Sequence, residues 1–177
     1  NRRFLHDYLK NKIDWESLET HPVSLLMIDI DYLKRINDQY GHAVGDQALS
    51  HVTEILKKIS KEKGIPTLYA GDEFIILLPD QNKQNALELG AKLIRQINGN
   101  KFFSAEAGTE IPLTLSVGIA TAPDDTNFGN GLINQAKNAL FHAKQAGRNR
   151  YVDAGEVSRR VVQDIDSAGI VGRKSQF

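Results

Sequence analysis

LYAGDEFIILLPD, Leu68 to Asp80, sets two adjacent acids, Asp72 and Glu73, beside Gly71 at the mouth of an almost wholly apolar run. Thr67, Leu68 and Tyr69 on one side and FIILL (74–78) on the other flank the tetrad AGDE, whose glycine and acids are turn formers. Two strand-like runs about so short a turn predict an antiparallel hairpin with Asp72 and Glu73 at its tip.

Upstream, VSLLMIDID (23–31) is a continuous apolar run ending in acids. That is the pattern of a strand buried on both faces whose C-terminal end reaches a polar site. Helical material follows it. In GDQALSHVTEILKKIS (45–60), Leu49, Val52, Leu56 and Ile59 recur at three-to-four spacing, which predicts an amphipathic helix stopping at Gly64 with Pro66 just beyond. Downstream of the hairpin, NKQNALELGAKLIRQING (82–99) predicts a second such helix, and IPLTLSVGIATA (111–122) a strand in which Thr114 and Ser116 alternate with Leu113, Leu115 and Val117. After the turn at Pro123-Asp124-Asp125, Leu132, Ala136, Ala139, Leu140 and Ala143 mark a third long helix, and NRYVDA (149–154) a last short strand. Crossovers mixed with a hairpin predict an α+β domain, an α/β sandwich with one mixed sheet of five strands flanked by helices. Residues 1–154 are assigned to this domain and 155–177 to a C-terminal tail or linker, in which Val157, Val161 and Ile165 allow a short helix.

The 177 residues suit one ordinary domain, and 41% hydrophobic with 25% charged residues is a globular composition. With 22 basic and 22 acidic side chains the formal charge is zero, so no global field draws the chain to nucleic acid or an anionic membrane, and neither is expected as a partner. The absence of cysteine removes disulfides, thiolate metal sites and thiol nucleophiles, and a cytoplasmic location is expected. No apolar stretch reaches the roughly 20 residues a membrane span needs.

Asp29 and Asp31 therefore stand at the end of one strand, and Asp72 and Glu73 at the tip of a hairpin expected beside it. Carboxylates drawn together repel unless neutralised, and an all-oxygen set without His or Cys suits a hard cation such as Mg²⁺, which also binds phosphates. Read singly, each acid is equally a solvated or capping side chain. The chain leaves DIDYLKRIND as a helix whose first amides, at Tyr32 and Leu33, form an anion site, with Lys34 adding charge.

LLMIDIDYLKRINDQYGHAVGDQAL, AGDEFIILLP, TLSVGIAT and NALFHAKQAGRNRY, in that order, resemble the GGDEF family of diguanylate cyclases, which make cyclic di-GMP from two GTP. The resemblance runs from Asn1 to about Tyr151. It implies a nucleotide-cyclase, palm-like βααββαβ topology with the signature on the hairpin. It further implies Mg²⁺, with Mn²⁺ as an alternative, held by Asp29, the carbonyl of Ile30 and Asp72, with Asp72 also helping to deprotonate the attacking 3′-hydroxyl and Glu73 completing the catalytic acid pair. Lys34, Lys144, Arg148 and the amides of Tyr32 and Leu33 would contact the triphosphate.

Asn37 and Asp46 match the family's guanine-reading pair, and an amide with a carboxylate can complement guanine's O6, N1 and N2. Alone, Asn37 reads equally as a helix-end cap, Asp46 as the N-cap of a helix beginning near Gln47, and Lys144 and Arg148 as cations suited to a helix C-terminus. None of the five histidines is assigned chemistry. Catalysis on two GTP implies a homodimer, and relatives of this kind carry sensory or regulatory domains, so a longer, even membrane-tethered, parent protein with a lead-in segment before Asn1 is expected.

Ala70 replaces the first signature glycine, Leu68 stands where the family often has Arg, and KEKG (61–64) replaces the product-binding Arg-x-x-Asp motif. The last departure predicts no product inhibition there. The first two motivate a second reading, a degenerate, non-catalytic GGDEF domain that binds GTP or a partner and regulates a neighbouring domain.

Overall fold

The computed structural model of the protein describes residues 1–161. Its first half contains α1 (Arg2–Asn11), β1 (Val23–Ile30), α2 (Leu33–Tyr40), α3 (His42–Ser60), β2 (Ile65–Ala70) and β3 (Glu73–Pro79). The second half contains α4 (Lys83–Gly99), β4 (Phe102–Ser104), β5 (Thr109–Ile111), β6 (Leu115–Ala122), α5 (Gly129–Gln145) and β7 (Arg150–Asp153), after which residues 154–161 are helical. The main sheet has the order β2-β3-β1-β6-β7, with β6 and β7 parallel and the other neighbours antiparallel. This is the expected mixed five-stranded α+β sheet. The order β1-α2-α3-β2-β3-α4-β6 follows the expected topology, and α5 and β7 extend it.

Because strand side chains alternate between faces, β1 feeds two cores. Leu26, Ile28 and Ile30 join Phe74, Ile76 and Leu78 beneath α3 and α4. Leu25 and Met27 join Ile75 and Leu77 beneath α1 and α5. All eight residues of β1 are buried, and each fully buried Leu or Ile contributes about 1.5–3 kcal/mol. Helix α5 lies flush on β6 at Gly118, where a β-carbon would fall 2.0 Å from the Ala136 carbonyl oxygen.

Several expectations need correction. Helix α1 was not anticipated: only Leu5 and Leu9 are buried in it, and Asn1 caps it by accepting the Phe4 amide at 3.0 Å. The β4–β5 hairpin was also not anticipated, and it divides the expected strand 111–122, because Ile111 ends β5 and β6 begins only at Leu115. Helix α3 begins at His42, so Asp46 lies inside it and is not its N-cap. Gly41, at φ +91°, makes the abrupt turn between α2 and α3 that allows this early start. Helical residues 154–161 include Val157 and Val161, while Ile165 lies outside the described residues.

At the sheet end where β6 and β7 finish, Lys83 Nζ donates to both Asp125 oxygens at 2.6 and 2.7 Å and to Asp153 Oδ1 at 2.7 Å. Burial works against the lysine's charge, but its bonds to the two carboxylates outweigh this and raise its pKa. The cluster joins the start of α4 to the ends of β6 and β7.

Candidate functional site

Antiparallel pairing places Asp29, near the end of β1, directly opposite Glu73, the first residue of β3. Partners in such a register point to the same face of the sheet. The hairpin turns through Gly71 and Asp72, with Ala70 paired to Glu73. Gly71 takes the left-handed conformation, φ +54°, whereas Ala70 does not, so the backbone accepts alanine at the first signature position without strain. Glu73 belongs to the strand and only Asp72 to the tip.

Asp29 is 8% exposed. Burial pushes its carboxyl above the usual carboxylate range; its bond to Lys144 pulls it back, and the negative charges of Asp72 and Glu73 push it up again. Lys144, in the last turn of α5, donates to Asp29 Oδ2 at 2.6 Å. The structure thus brings Lys144 onto the carboxylate that the family resemblance assigns to the metal. Among the described residues no three acidic or histidine side chains converge tightly enough to hold an ion unaided. An all-oxygen set that leaves coordination positions for water and phosphate fits Mg²⁺, which binds through one or two carboxylates plus substrate phosphates, and the mutual repulsion around Asp29 is what such a cation would relieve.

Asp31 does different work. It is 4% exposed and accepts the hydroxyls of Ser116 at 2.6 Å and Thr114 at 2.7 Å and the Asn149 amide at 3.0 Å. All these bonds are internal, so Asp31 braces the sheet end and does not join the acid group. Sequence reading placed it among four converging acids; its partners are 83 to 118 residues away in the chain, and nothing local to DIDYL signals them.

Tyr32 precedes α2 in a left-handed conformation, φ 59°, with its side chain 58% exposed. Leu33 opens the helix and buries its side chain, while Lys34 is exposed. Amides in a first helical turn have no partner within the helix, so those near Tyr32 and Leu33 provide an anion-accepting end beside Asp29. The Arg148 guanidinium carbon stands 4.6 Å from the centre of the Tyr32 ring. Ile30 is buried at the end of β1, paired with Leu115.

Asn37 in α2 lies against Gly45, the residue before Asp46 in α3. A β-carbon on Gly45 would lie 1.7 Å from Asn37 Oδ1, so the amide rests on the bare backbone next to Asp46, which is exposed. Gly45 carried no sequence signal of its own; the signal was its neighbour. Ser104 in β4 donates to Gln47 Oε1 at 2.8 Å, anchoring the start of α3 from outside the main sheet.

Lys61 caps α3 at its C-terminus and Gly64 precedes β2. A β-carbon at Gly64 would approach Ile76 Cγ2 to 2.7 Å and Leu78 Cδ2 to 2.8 Å, both on buried side chains of β3.

A central strand delivering an acid against a hairpin-borne acid pair, with a helix N-terminus and two cations at the same sheet end, defines an α+β domain of the nucleotidyl-cyclase type. The sequence profile described as "Diguanylate cyclase, GGDEF domain" matches residues 1–150, and the chain belongs to the GGDEF family. The response regulator PleD of Caulobacter vibrioides is 30% identical over 86% of this chain and 34% of its own length. Diguanylate cyclase DosC of Escherichia coli K12 is 35% identical over 85% of this chain and 32% of its own. The chain therefore spans about a third of these relatives.

Among solved structures, the active GGEEF domain of a Vibrio cholerae diguanylate cyclase superposes with a TM-score of 0.76 at 27% identity, covering 87% of this chain and 96% of that one. The GGDEF domain of DgcB from Caulobacter crescentus, in complex with c-di-GMP, reaches 0.80 at 23% identity, covering 87% and 90%, a likeness of fold. Among the described residues no helix is long and apolar enough to cross a membrane.

Proposed function

We propose that this domain is a diguanylate cyclase that condenses two GTP into cyclic di-GMP and two pyrophosphates, each half-reaction joining a 3′-oxygen to an α-phosphorus as the bond to pyrophosphate breaks. The observation that carries this reading is the register of Asp29 against Glu73 beside Asp72, with Lys144 bonded to Asp29. Asp29, Asp72 and the carbonyl of Ile30 would hold Mg²⁺, or Mn²⁺ in its place, which when bound stabilises charge on the phosphates and acidifies the attacking hydroxyl. Asp72 takes up the hydroxyl proton, and Glu73 maintains the acidic field around it.

The amides of Tyr32 and Leu33 with Lys34, Lys144 and Arg148 bind the triphosphate. Asn37 and Asp46 read guanine, and a site built on such bonds rejects adenine because buried polar groups are left unpaired. One domain holds one GTP, so the twofold product requires two copies face to face. The packing around Gly64 supports the absence of product inhibition at KEKG, because an aspartate side chain there would have to displace Ile76 and Leu78. The parent protein is read as cytoplasmic at this domain, with a regulatory domain supplying the pairing signal.

Concentrated protein given GTP and Mg²⁺ is expected to yield cyclic di-GMP, identified by mass, and Asp72→Asn to reduce the rate by at least about a hundredfold. Folded, dimeric protein that binds GTP without turnover would instead establish the non-catalytic, regulatory reading that Ala70 and Leu68 motivate.

A further inference from the structure

Arg148 is held by an aromatic face. Its guanidinium stands 4.6 Å from the Tyr32 ring centre, and among the described residues it forms no ion pair with a carboxylate. Both partners sit in left-handed backbone, Tyr32 at φ 59° and Arg148 at φ 63°, and Asn149 follows at φ 48°. Non-glycine residues adopt this conformation uncommonly, and it persists where the surroundings enforce it.

The Arg148 amide donates to the Ala143 carbonyl at 3.0 Å at the end of α5, and the group that links this turn to Tyr32 is Asp31. It is covalently next to Tyr32, and it accepts the amide of Asn149, next to Arg148, at 3.0 Å. One buried carboxylate therefore ties together the two segments that carry the stack. A ring left 58% exposed contributes little to the core, so its contact with Arg148 is its principal engagement. A guanidinium drawn to a π face spends no carboxylate on that contact and retains N–H donors for a phosphate, whereas an acid partner would consume them.

We propose that Tyr32 is a positioning residue whose ring is a platform holding the Arg148 guanidinium toward the phosphates of the bound nucleoside triphosphate. The inference rests on the GTP site proposed above. It assigns the work to the face of the ring and not to the phenolic hydroxyl.

The test compares Tyr32→Leu, which retains the backbone amide but loses the π face, with Tyr32→Phe, which retains the face. Both replacements are unbranched at Cβ and meet the same left-handed backbone, so strain cancels. Tyr32→Leu is expected to weaken binding of GTP with Mg²⁺ and to raise KM about two- to fivefold, the range of an exposed cation–π contact, with kcat nearly retained. Tyr32→Phe restores most of that loss. Arg148→Ala already forfeits the contact, so adding Tyr32→Leu to it should weaken GTP no further.

Wild-type affinity in Tyr32→Leu, or losses that add in the double variant, would overturn the platform while leaving the GTP site intact. Failure of the wild-type protein to bind GTP would overturn the site and the platform together. Circular dichroism and thermal melting of each variant separate loss of fold from loss of positioning.

Discussion

At position 45 a single methyl group decides where Asn37 can lie. Alanine would normally be favoured over glycine inside a helix by about 1 kcal/mol, yet here its β-carbon would collide with the Asn37 amide. Gly45→Ala is therefore expected to displace that amide and reduce the preference for GTP over ATP about tenfold, measured by competitive binding, with the fold intact. Unaltered discrimination would remove Asn37 from base reading. Asp29 carries a second expectation. Chiefly because it is buried, its carboxyl is raised, so the folded protein holds that proton more tightly than the unfolded chain. Its contribution to stability is present below the ordinary carboxylate pKa of about 4 and is lost as pH climbs through the raised folded value. Asp29→Asn, uncharged throughout, should flatten this part of the melting-temperature profile in metal-free protein; a profile parallel to the wild type would contradict the sign. That Asp29 stands opposite Glu73 and within reach of the charge of Asp72 was legible, because strand-end acids and a turn-forming tetrad are local patterns. The separate role of Asp31 was not, because its hydroxyl partners Thr114 and Ser116 are brought to it only by the pairing of β1 with β6.

Among the elements, legibility followed the strength of the local signal. Strands β1 and β3 were readable as continuous apolar runs, and α4 and α5 as periodic faces, since each carries several buried residues at regular spacing. Helix α1 buries only two side chains, and β4 and β5 are three residues each, too short for a period to register. Residues 61–64 bear on regulation at the same scale. Restoring the inhibitory motif by Lys61→Arg with Gly64→Asp should destabilise the domain by about 1–3 kcal/mol through the clash with Ile76 and Leu78. Calorimetry with cyclic di-GMP should still detect no binding there. High-affinity binding by that double variant would mean that β3 repacks easily and that the missing side chains alone explain the departure from the family pattern.

For the molecule as a whole, the two ends of the sheet have opposite electrostatic designs. The end bearing Asp29 gathers acids against one ammonium group, whereas the far end closes Lys83 around Asp125 and Asp153 with short bonds. Removing the lysine leaves buried Asp125 without a counter-charge and Asp153 with only the exposed Arg159, 4.0 Å away, so Lys83→Met should cost about 3–5 kcal/mol in urea unfolding. Because the pKa of Lys83 is raised, the stability this clasp provides is complete below the lysine's unfolded pKa and is lost only as alkaline pH passes the folded one. A smaller loss in urea, under about 1 kcal/mol, would show that water already reaches the cluster. The position of β1 has a kinetic corollary. It is the central strand, laddered on both edges to partners distant in sequence and covered on both faces. Its amide protons can reach deuterium only when the entire sheet comes apart, so the strand that presents Asp29 should be the slowest of all to exchange its isotopes, and the nucleotide binding proposed at its tip would leave that exchange no faster.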